Sequence, residues 1–459
     1  MKNFNLNRRS LLKGTAGALP VSILPSDIRA SSVLNNKPIL DGGLLVNRAR
    51  AFEVMERFDI QGLIALDPIN VFYLTNVITI GVKFRSEYPG FATYAKDPEK
   101  EIHLVSSASS AWDIANGDRE NASLIPYGFG ANNYKEYDAD GIPVEPKNAS
   151  TRKYPVLENI ELTPREKKWA NAQENVHANL SANAAWGIAK ALKSQGITKG
   201  RVAVDDMRIA DLLASTDMVN IECVPGYGVF QLIRMVKTEQ ELAYQRIGGR
   251  NNGDACLATI RSIETGMTQD EVVQIFRVEC AIRGNDMTSF IAGMPGGGLP
   301  DGEIVKGKPY LVDAVSHFKQ YHGDTARTFI LGEPSQEVMK RHKANQTARE
   351  AVYDAIKPGV KYSELKKIGY DVMIKSGMPK DAVFVTPHSV GLQHDDNPFS
   401  LPQFGIDRID HVLEEDMVLT VDLPYLQVGY GTGHNEDLFR VTKTGYEPLN
   451  SEQDPLIIL

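Results

Sequence analysis

The stretch "DAVSHFKQYHGDTARTF", residues 313–329, places two aspartates eleven positions apart among apolar, aromatic and β-branched residues. Such neighbours favour β-strands, so Asp313 and Asp324 are predicted to lie on strands of a hydrophobic core. A buried carboxylate costs free energy unless it is paired or bound to a cation. The two aspartates therefore either face water or hold a ligand.

The separation of the two aspartates bears on this choice. If the two apolar runs pair as antiparallel neighbours, an odd separation puts both carboxylates on the same face of the sheet. Phe318 and Lys319, at the turn between the runs, are not residues that tight turns favour. We therefore expect a longer loop here rather than a tight hairpin.

Length and composition limit the class of protein. A chain of 459 residues predicts two or three domains, and 42% hydrophobic with 24% charged residues is typical of a soluble globular protein. The formal net charge is −8 and no run of Lys and Arg is present, which argues against a nucleic-acid or membrane partner. Three cysteines without a CxxC motif exclude a disulfide framework. A small ligand is expected.

Helix starts are marked by three capping boxes, in which a Thr side chain accepts from the first turn and a Glu three residues later reaches back. They are "TPRE" at Thr163, "TEQE" at Thr238 and "TQDE" at Thr268. Gly266 and Gly284 follow the last two predicted helices, as glycines often follow helix ends.

Strand-like runs alternate with helix pairs in the second half of the chain. The runs are "KPYLVDAV", "ARTFIL", "AVFVTPH", "DMVLTVDLPYLQV" and "EDLFRVT". This pattern predicts an α+β domain large enough to fold by itself. Nearer the N-terminus, residues 61–77 predict a buried strand, an Asp-Pro turn and a second apolar run, and residues 130–160 predict a long surface excursion.

The first 34 residues carry a different signal. Arg8 and Arg9 precede a mildly apolar stretch, which resembles a twin-arginine export signal. The apolar stretch is too short and too broken by Gly and Pro to span a bilayer. We expect a mature chain that begins near residue 35 and a periplasmic or otherwise exported protein. The alternative is a chance basic pair before a tail, in which case the protein is cytoplasmic.

Five residues with metal-ligating side chains stand in or beside the apolar strand runs of the second half. They are Asp313, Asp324, His388, Asp422 and Glu436. Four carboxylates and one imidazole suit Mn, Co, Fe(II) or Zn in an open site better than a closed structural zinc site. Two divalent ions that share bridging carboxylates would neutralise the buried charge and could activate a water. Taken singly, each residue also has a purely structural interpretation.

Three segments carry a resemblance to a known family. "VDAVSHFKQYHGDTARTF", "PHSVGLQHDD" and "MVLTVDLPYLQVGYGTGHNEDLFRVTKTGYEPL" are similar to the signature regions of the pita-bread metallopeptidases, which include Xaa-Pro aminopeptidases, prolidases, methionine aminopeptidases and creatinase. Upstream, "DPINVFYLTN" and "IRMVKTEQELAYQRIGGRNNGDA" resemble the creatinase and prolidase branch. The resemblance covers most of the chain except residues 130–160.

The resemblance implies a domain order and a set of ligands. An N-terminal creatinase-like α/β domain at 35–235 would precede a C-terminal pita-bread catalytic domain at 236–459, and the branch is usually homodimeric. Asp324 and Glu436 would bridge two divalent ions, Asp313 would hold one ion, and His388 with Asp422 would hold the other. In the family a metal-bridging hydroxide attacks the scissile carbonyl.

Several positions depart from the family pattern. Asp422 stands where the family has Glu, and the loop "IAGMPGGGLPDGE" lacks the upstream His that contacts substrate in the peptidases. The second family histidine corresponds to His394, one residue nearer to His388 than the family spacing. His434 replaces an Arg, and His322 precedes Asp324 where a small residue is usual. We expect His394 and His434 to be catalytic, with His394 as a general acid or oxyanion partner.

The sequence therefore predicts a metal-dependent hydrolase that resembles Xaa-Pro aminopeptidases and cleaves a peptide or related amide bond of a small substrate. Manganese is among the expected metals. The alternative is a pita-bread enzyme of non-peptidase chemistry, with creatinase-like C–N hydrolysis or dimethylsulfoniopropionate-lyase-like C–S cleavage. A binding module that kept the fold without catalysis is a third interpretation, which predicts ligand loss. Only a Glu-to-Asp change is seen.

Overall fold

A computed structural model describes residues 43–79, 83–84, 90–108, 122–128, 136–147, 149–293, 303–450 and 456–459. The predicted export segment, residues 1–34, lies outside these ranges, as does most of the loop at 291–303. Within these ranges, no helix combines the length and the apolar character needed to cross a membrane.

Residues 43–236 build one mixed sheet with helices. The strands are β1 (Gly62–Ala65), β2 (Gly90–Ala95), β3 (Ile102–Ser107), β4 (Ala122–Tyr127), β5 (Glu136–Tyr137), β6 (Pro143–Val144), β7 (Gly200–Val204) and β8 (Ile221–Pro225). The helices are α1 (Arg48–Arg57), α2 (Pro68–Thr75), α3 (Pro164–Ala178), α4 (Ala184–Ser194), α5 (Arg208–Leu213) and α6 (Tyr227–Arg234). Six strands form the sheet in the order β4-β3-β2-β1-β7-β8, while β5 and β6 form a separate hairpin.

The second apolar run of residues 61–77 folds as a helix. Asp67 caps α2 because its side chain accepts from the backbone N–H groups of Ile69 and Asn70, and Pro68 occupies the first turn. The buried strand predicted before the Asp-Pro pair is β1, in which all four residues are buried. Residues 151–161 are mostly exposed and irregular, as expected for the predicted surface excursion.

The described residues from 237 onward form two four-stranded sheets and four long helices. The strands are β9 (Asp286–Gly293), β10 (Pro309–Phe318), β11 (Tyr321–Ile330), β12 (Thr386–Ser389), β13 (Val418–Asp422), β14 (Tyr425–Gln427), β15 (Gly431–Gly433), β16 (Phe439–Val441), β17 (Tyr446–Pro448) and β18 (Leu456–Ile458). The helices are α7 (Glu239–Arg261), α8 (Gln269–Arg283), α9 (Gln336–Ala355) and α10 (Tyr362–Lys375). The sheet orders are β18-β11-β10-β9 and β12-β13-β16-β17, and β14 pairs with β15.

Local capping explains where three of the helices begin. The capping boxes predicted at Thr163, Thr238 and Thr268 are all present, at the N-termini of α3, α7 and α8. Gly284 ends α8 in the left-handed conformation with φ 86°, and Gly266, with φ 90°, follows α7. Short-range hydrogen bonds therefore determine these boundaries.

The connection between β10 and β11 differs from the prediction. The expectation of a longer loop was wrong, because the strands pair through Phe318 and Tyr321 and leave a two-residue turn. Lys319 and Gln320 adopt left-handed conformations with φ 46° and 71°, which costs about 1–2 kcal/mol per residue. Ten paired positions and the contact of both aromatic rings with Tyr244 offset that cost.

A close approach of α7 to β11 determines the position of the strand that carries Asp324. Gly323 has no room for a side chain, since a Cβ there would lie 2.6 Å from both the Asn252 Cβ and the Gly248 carbonyl oxygen. Gly248 in turn faces the Tyr321 carbonyl, which a Cβ would meet at 2.7 Å. Asn252 donates from its side chain to the Ala314 carbonyl (2.8 Å). Helix and hairpin are thus in direct backbone contact behind the carboxylates.

Candidate metal centre

The β10–β11 hairpin carries the first two carboxylates. Asp313 lies opposite Ala326, and Asp324 lies opposite Val315. Opposed residues share a face and successive residues alternate, so the two aspartates are diagonal neighbours on one face. The structure therefore brings them together, as their odd separation predicted.

Three further predicted residues reach the same place from other elements. His388 on β12 and Asp422 on β13 come from adjacent antiparallel strands. Glu436 lies just before β16 and pairs with Ala326 of β11 through two backbone hydrogen bonds of 3.2 Å. This isolated bridge joins the two sheets at the carboxylates. The run "AVFVTPH" forms a strand only from Thr386 onward.

The ligating atoms form overlapping groups. Three sets have ligand atoms that all lie within 4.8 Å of one another. The sets are Asp313 with Asp324 and Glu436, His388 with Asp422 and Glu436, and Asp324 with His388 and His394. Asp324 and Glu436 each belong to two sets, which is the arrangement that bridging carboxylates require.

The hydrogen bonding of this cluster is incomplete within the described part of the chain. Buried atoms without a hydrogen-bond partner include Asp313 Oδ1, both carboxylate oxygens of Asp324, Glu436 Oε2 and both ring nitrogens of His388. Buried polar groups are usually paired, so six unpaired atoms in one place need another partner. Divalent cations fit this donor set of oxygens and imidazole nitrogen.

Protonation of the carboxylates reflects the same crowding. Burial, followed by the charge of Asp324, raises the pKa of Asp313 to about 6. Burial and then the charges of Asp324 and Asp422 raise the pKa of Glu436 well above its ordinary value. Without cations, these two carboxylates therefore resist ionisation.

His388 and Asp422 stabilise each other's charge. Burial by itself would lower the pKa of His388, but Asp422 and Asp324 raise it to about 9. Burial would raise the pKa of Asp422, whereas His388 and His434 hold it well below its usual range. The Nε2 atom of His388 is 3.4 Å from Asp422 Oδ2 and 3.8 Å from Asp324 Oδ2.

The two histidines predicted to be catalytic both border the cluster. His434 is buried, donates from Nε2 to Asp422 Oδ1 (3.1 Å), and lies 3.3 Å from Glu436 Oε2. His394 has its Nε2 atom 3.0 Å from Asp324 Oδ2 and is 40% exposed.

His322 is buried beside Gly391, in the segment that leads to His394. Its Nδ1 atom is 3.2 Å from the Gly391 carbonyl oxygen. Its ring lies 5.3 Å from that of His317.

Sequence reasoning missed Asp395 and Asp396. Asp395 has one oxygen 3.3 Å from Nδ1 of His388 and the other 3.6 Å from Nδ1 of His394. Asp396 is fully buried and binds Arg234 at the end of α6, with Nη2 to Oδ1 at 2.6 Å. The only sequence signal is the acidic pair directly after His394 in "QHDDN".

Comparisons with known proteins bear on this arrangement. Residues 244–443 match the model of metallopeptidase family M24. The chain is 24% identical over 272 residues to the probable dipeptidase PepE of Mycobacterium tuberculosis, covering 58% of this chain and 71% of that protein. It is 26% identical over 236 residues to an Xaa-Pro dipeptidase of Lactobacillus delbrueckii subsp. lactis, covering 50% and 63%.

Solved structures show the same fold. A dipeptidase from Pyrococcus horikoshii OT3 matches with a TM-score of 0.65 at 17% identity, covering 90% of this chain and 99% of that one. An X-Pro aminopeptidase from Thermotoga maritima matches with a TM-score of 0.61 at 15% identity, covering 90% and 99%. The expected α+β architecture with a pita-bread catalytic region is confirmed.

The family match, the dipeptidase relatives and the carboxylate cluster together indicate a metal-dependent hydrolase of peptide bonds. Residues 244–443 match metallopeptidase family M24, and the chain is similar to dipeptidases of that kind.

Proposed function

We propose that this protein is a dinuclear metallopeptidase that hydrolyses Xaa-Pro dipeptides or short peptides with proline in the second position. The observation that carries the proposal is the convergence of four carboxylates and His388 with six buried atoms that lack hydrogen-bond partners. The names of the Lactobacillus relative and of the Thermotoga structure support the choice of an Xaa-Pro substrate.

The ligand assignment follows the three overlapping groups. Asp324 and Glu436 would bridge two divalent ions, Asp313 would complete one site, and His388 with Asp422 would complete the other. When bound, the ions would supply Lewis acidity and an activated water.

Protein groups around this centre determine the charge and the orientation of its carboxylates. Asp422 is 23% exposed, whereas Asp324 and Glu436 are at most 1% exposed. Asp422 is therefore the most open of these three ligands, and the charges of His388 and His434 keep it ionised. His434 orients Asp422 through its hydrogen bond. Thr420 likewise holds Glu436, since its hydroxyl donates to Oε1 (2.5 Å).

A peptide panel tests the proposal. Purified protein would be assayed with Ala-Pro, with longer peptides that carry proline second, and with dipeptides without proline. We expect proline-dependent turnover that a chelator abolishes and added metal restores. Asp324→Asn should be inactive, whereas Asp381→Asn, which changes an exposed aspartate, should keep full activity. A metal-loaded, folded protein without turnover on the whole panel would contradict the proposal.

A non-peptidase chemistry is the alternative that the same experiment can reveal. The hydrogen-bonded pair of Asp422 and His434 supports this alternative. Asp422 is shorter than the family Glu and His434 replaces the family Arg, so the lining of the site differs from that of the peptidases. Release of product from a small amine, amide or sulfonium substrate, together with inert peptides, would favour creatinase-like or lyase-like chemistry.

We propose manganese as the resident metal. The centre is rich in carboxylate oxygens, which Mn²⁺ accepts readily, and its four carboxylates do not resemble a closed zinc site. Metal analysis of protein purified without added metal or chelator checks this. Two manganese ions per chain are expected, and a different stoichiometric metal would refute the choice.

We further propose export through the twin-arginine route, on the basis of Arg8 and Arg9. Expression of the full chain with Arg8→Lys and Arg9→Lys substitutions should leave the protein in the cytoplasm. Wild-type protein should reach the periplasm. An unchanged distribution between these compartments would contradict the proposal.

A homodimer is proposed as the working assembly. Exposed apolar side chains support it along residues 154–160, where Val156 is 46%, Leu157 69% and Ile160 52% exposed. Such clustered exposure is typical of an interaction surface. Light scattering should give twice the chain mass, and Leu157→Asp should shift the mass toward the monomer. A monomeric wild type would refute this assignment.

A further inference from the structure

The contact between His394 and Asp324 is unusual for an imidazole beside a carboxylate. Nε2 of His394 lies 3.0 Å from Oδ2 of Asp324, which is hydrogen-bond distance. Among the described residues, however, neither oxygen of Asp324 has a hydrogen-bond partner. The two atoms are therefore close, and the described side chains nearby do not satisfy the oxygens of Asp324.

Two donor atoms at this separation can both bind one metal ion. Ligands that lie ~2.1 Å from one ion at right angles are ~3.0 Å apart. The separation of His394 Nε2 from Asp324 Oδ2 matches this distance. His388 joins them, because its ligand nitrogen lies within 4.8 Å of both and the two rings are 4.8 Å apart.

His434 provides an internal comparison. It is also beside a ligating carboxylate, at 3.1 Å from Asp422 Oδ1. In this case the geometry is that of a hydrogen bond, so the Nε2 atom of His434 already has a partner. The two imidazoles that border the cluster therefore make different kinds of contact with its carboxylates.

Asp395 lies beside the Nδ1 atoms of both His388 and His394. Asp395 approaches Nδ1 of both rings, at 3.3 and 3.6 Å. Ligating histidines usually present their second nitrogen to a carboxylate or carbonyl group, which determines the tautomer and the ring orientation. Asp395 thus approaches Nδ1 of both rings, without a hydrogen bond to His388, and leaves each Nε2 beside the cluster.

Hydrogen bonds and an ion pair anchor residues 391–396, the segment that carries His394. Asp396 accepts from the Leu392 N–H (3.1 Å) and binds the buried Arg234 guanidinium. The Gly391 carbonyl accepts from the His322 N–H (2.8 Å). His394 is partly exposed, but its backbone is anchored on both sides by buried contacts.

From this geometry we infer that His394 is a direct metal ligand, so that the centre has two imidazole ligands supported by one carboxylate, Asp395. The inference rests on the proposed dinuclear function and deepens it. A second imidazole makes the subsite of Asp324, His388 and His394 more favourable to Zn²⁺ or Co²⁺ than a site made only of oxygens.

Nitrogen NMR of the histidine rings tests the inference directly. Protein labelled with ¹⁵N-histidine would be titrated with Zn²⁺, and two-bond correlations from the carbon-bound ring protons would report each ring nitrogen. We expect the Nε2 resonances of both His388 and His394 to move to metal-bound positions at stoichiometric zinc. His388→Ala and His394→Ala assign the two signals, and His177→Gln, on α3 in the other sheet region, is the matched control.

Zinc affinity provides a second readout. Competition with a chelator should show that His394→Ala and Asp395→Asn each weaken one site by ~10–100-fold, while His177→Gln leaves both sites unchanged. Thermal unfolding of the metal-free variants checks that each is folded. Variants with wild-type zinc affinity would overturn the inference.

The two possible failures are distinguishable. If the wild-type protein binds no zinc, manganese or cobalt, the proposed function fails and the inference fails with it. If two ions bind but the His394 Nε2 resonance does not move, only the inference fails and His394 returns to a role toward substrate.

Discussion

The effect of the Asp324→Asn substitution on the free energy of unfolding should change sign when metal is added. The carboxylate is fully buried and without a hydrogen-bond partner, and its charge raises the pKa of Asp313 and Glu436. Asn has nearly the same shape and carries no charge. We therefore expect Asp324→Asn to be more stable than wild type without metal and less stable with it.

The size of the metal-free effect follows from Asp313. Its pKa rises from 3.8 to about 6, with burial as the larger cause and the charge of Asp324 as the second. A shift of that size corresponds to roughly 3 kcal/mol at 1.36 kcal/mol per pKa unit. Asp324 accounts for under half of it and adds a similar amount at Glu436, whereas its attraction to His388 and His394 is lost in the variant. We therefore expect a net gain of about 1–2 kcal/mol.

The stability advantage of Asp324→Asn should depend on pH in a defined direction. A carboxyl group whose pKa is raised by folding costs stability as the pH rises from its unfolded to its folded value. For Asp313 that interval runs from 3.8 to about 6. The advantage of Asp324→Asn should therefore be absent at pH 4, grow through this interval and be constant at pH 8.

Thermal unfolding in chelator and in excess Mn²⁺ measures both effects. At a metal concentration about 1,000 times Kd, one site stabilises the folded protein by ~4 kcal/mol, and we expect the variant to lose most of this. Wild type should unfold first in chelator and last in metal. A variant that is less stable in chelator at pH 8, or that gains as much from metal as wild type, would refute the reasoning.

Other predictions concern buried groups around the site. Asp396→Asn should cost about 3–5 kcal/mol in chemical denaturation, because it leaves the Arg234 guanidinium, 1% exposed, without its counter-charge; a loss below 1 kcal/mol would contradict this. Burial raises the pKa of Glu241 from 4.5 to about 7, so wild type should lose roughly 3 kcal/mol between these pH values. In Glu241→Gln, thermal unfolding should show little loss of stability between pH 5 and pH 8. A loss as large as in wild type would contradict the role of Glu241. Gly323→Ala should cost about 1–3 kcal/mol by overpacking, because the new Cβ would lie 2.6 Å from that of Asn252. The same variant should bind metal more weakly in calorimetry. Wild-type stability and affinity would rule out the close contact.

Local physics made part of this protein predictable from its sequence. The capping boxes at Thr163, Thr238 and Thr268 were readable because each depends on residues within one turn. The common face of Asp313 and Asp324 was readable because strand periodicity is two. The carboxylates among apolar runs pointed to a cation, since burial without one is costly.

Other features depended on contacts between distant segments. The apolar run after Asp67 is compatible with strand or helix, and the cap of α2 decides for the helix. The tight turn at Lys319 and Gln320 contradicts local turn preferences, because strand pairing over ten positions outweighs them. The cap at Asp67 is a local signal, whereas the tight turn follows only from the pairing of the two strands.

The sequence by itself determined which residue types are available to bind metal and which helices have defined starts. Only the tertiary structure decided that His394 lies within 3.0 Å of Asp324 and that Asp395 supports two rings. These positions follow from buried anchors far apart in the chain, such as Asp396 with Arg234. The spacing of residues along a loop cannot specify them, because loop conformation depends on what the fold packs around it.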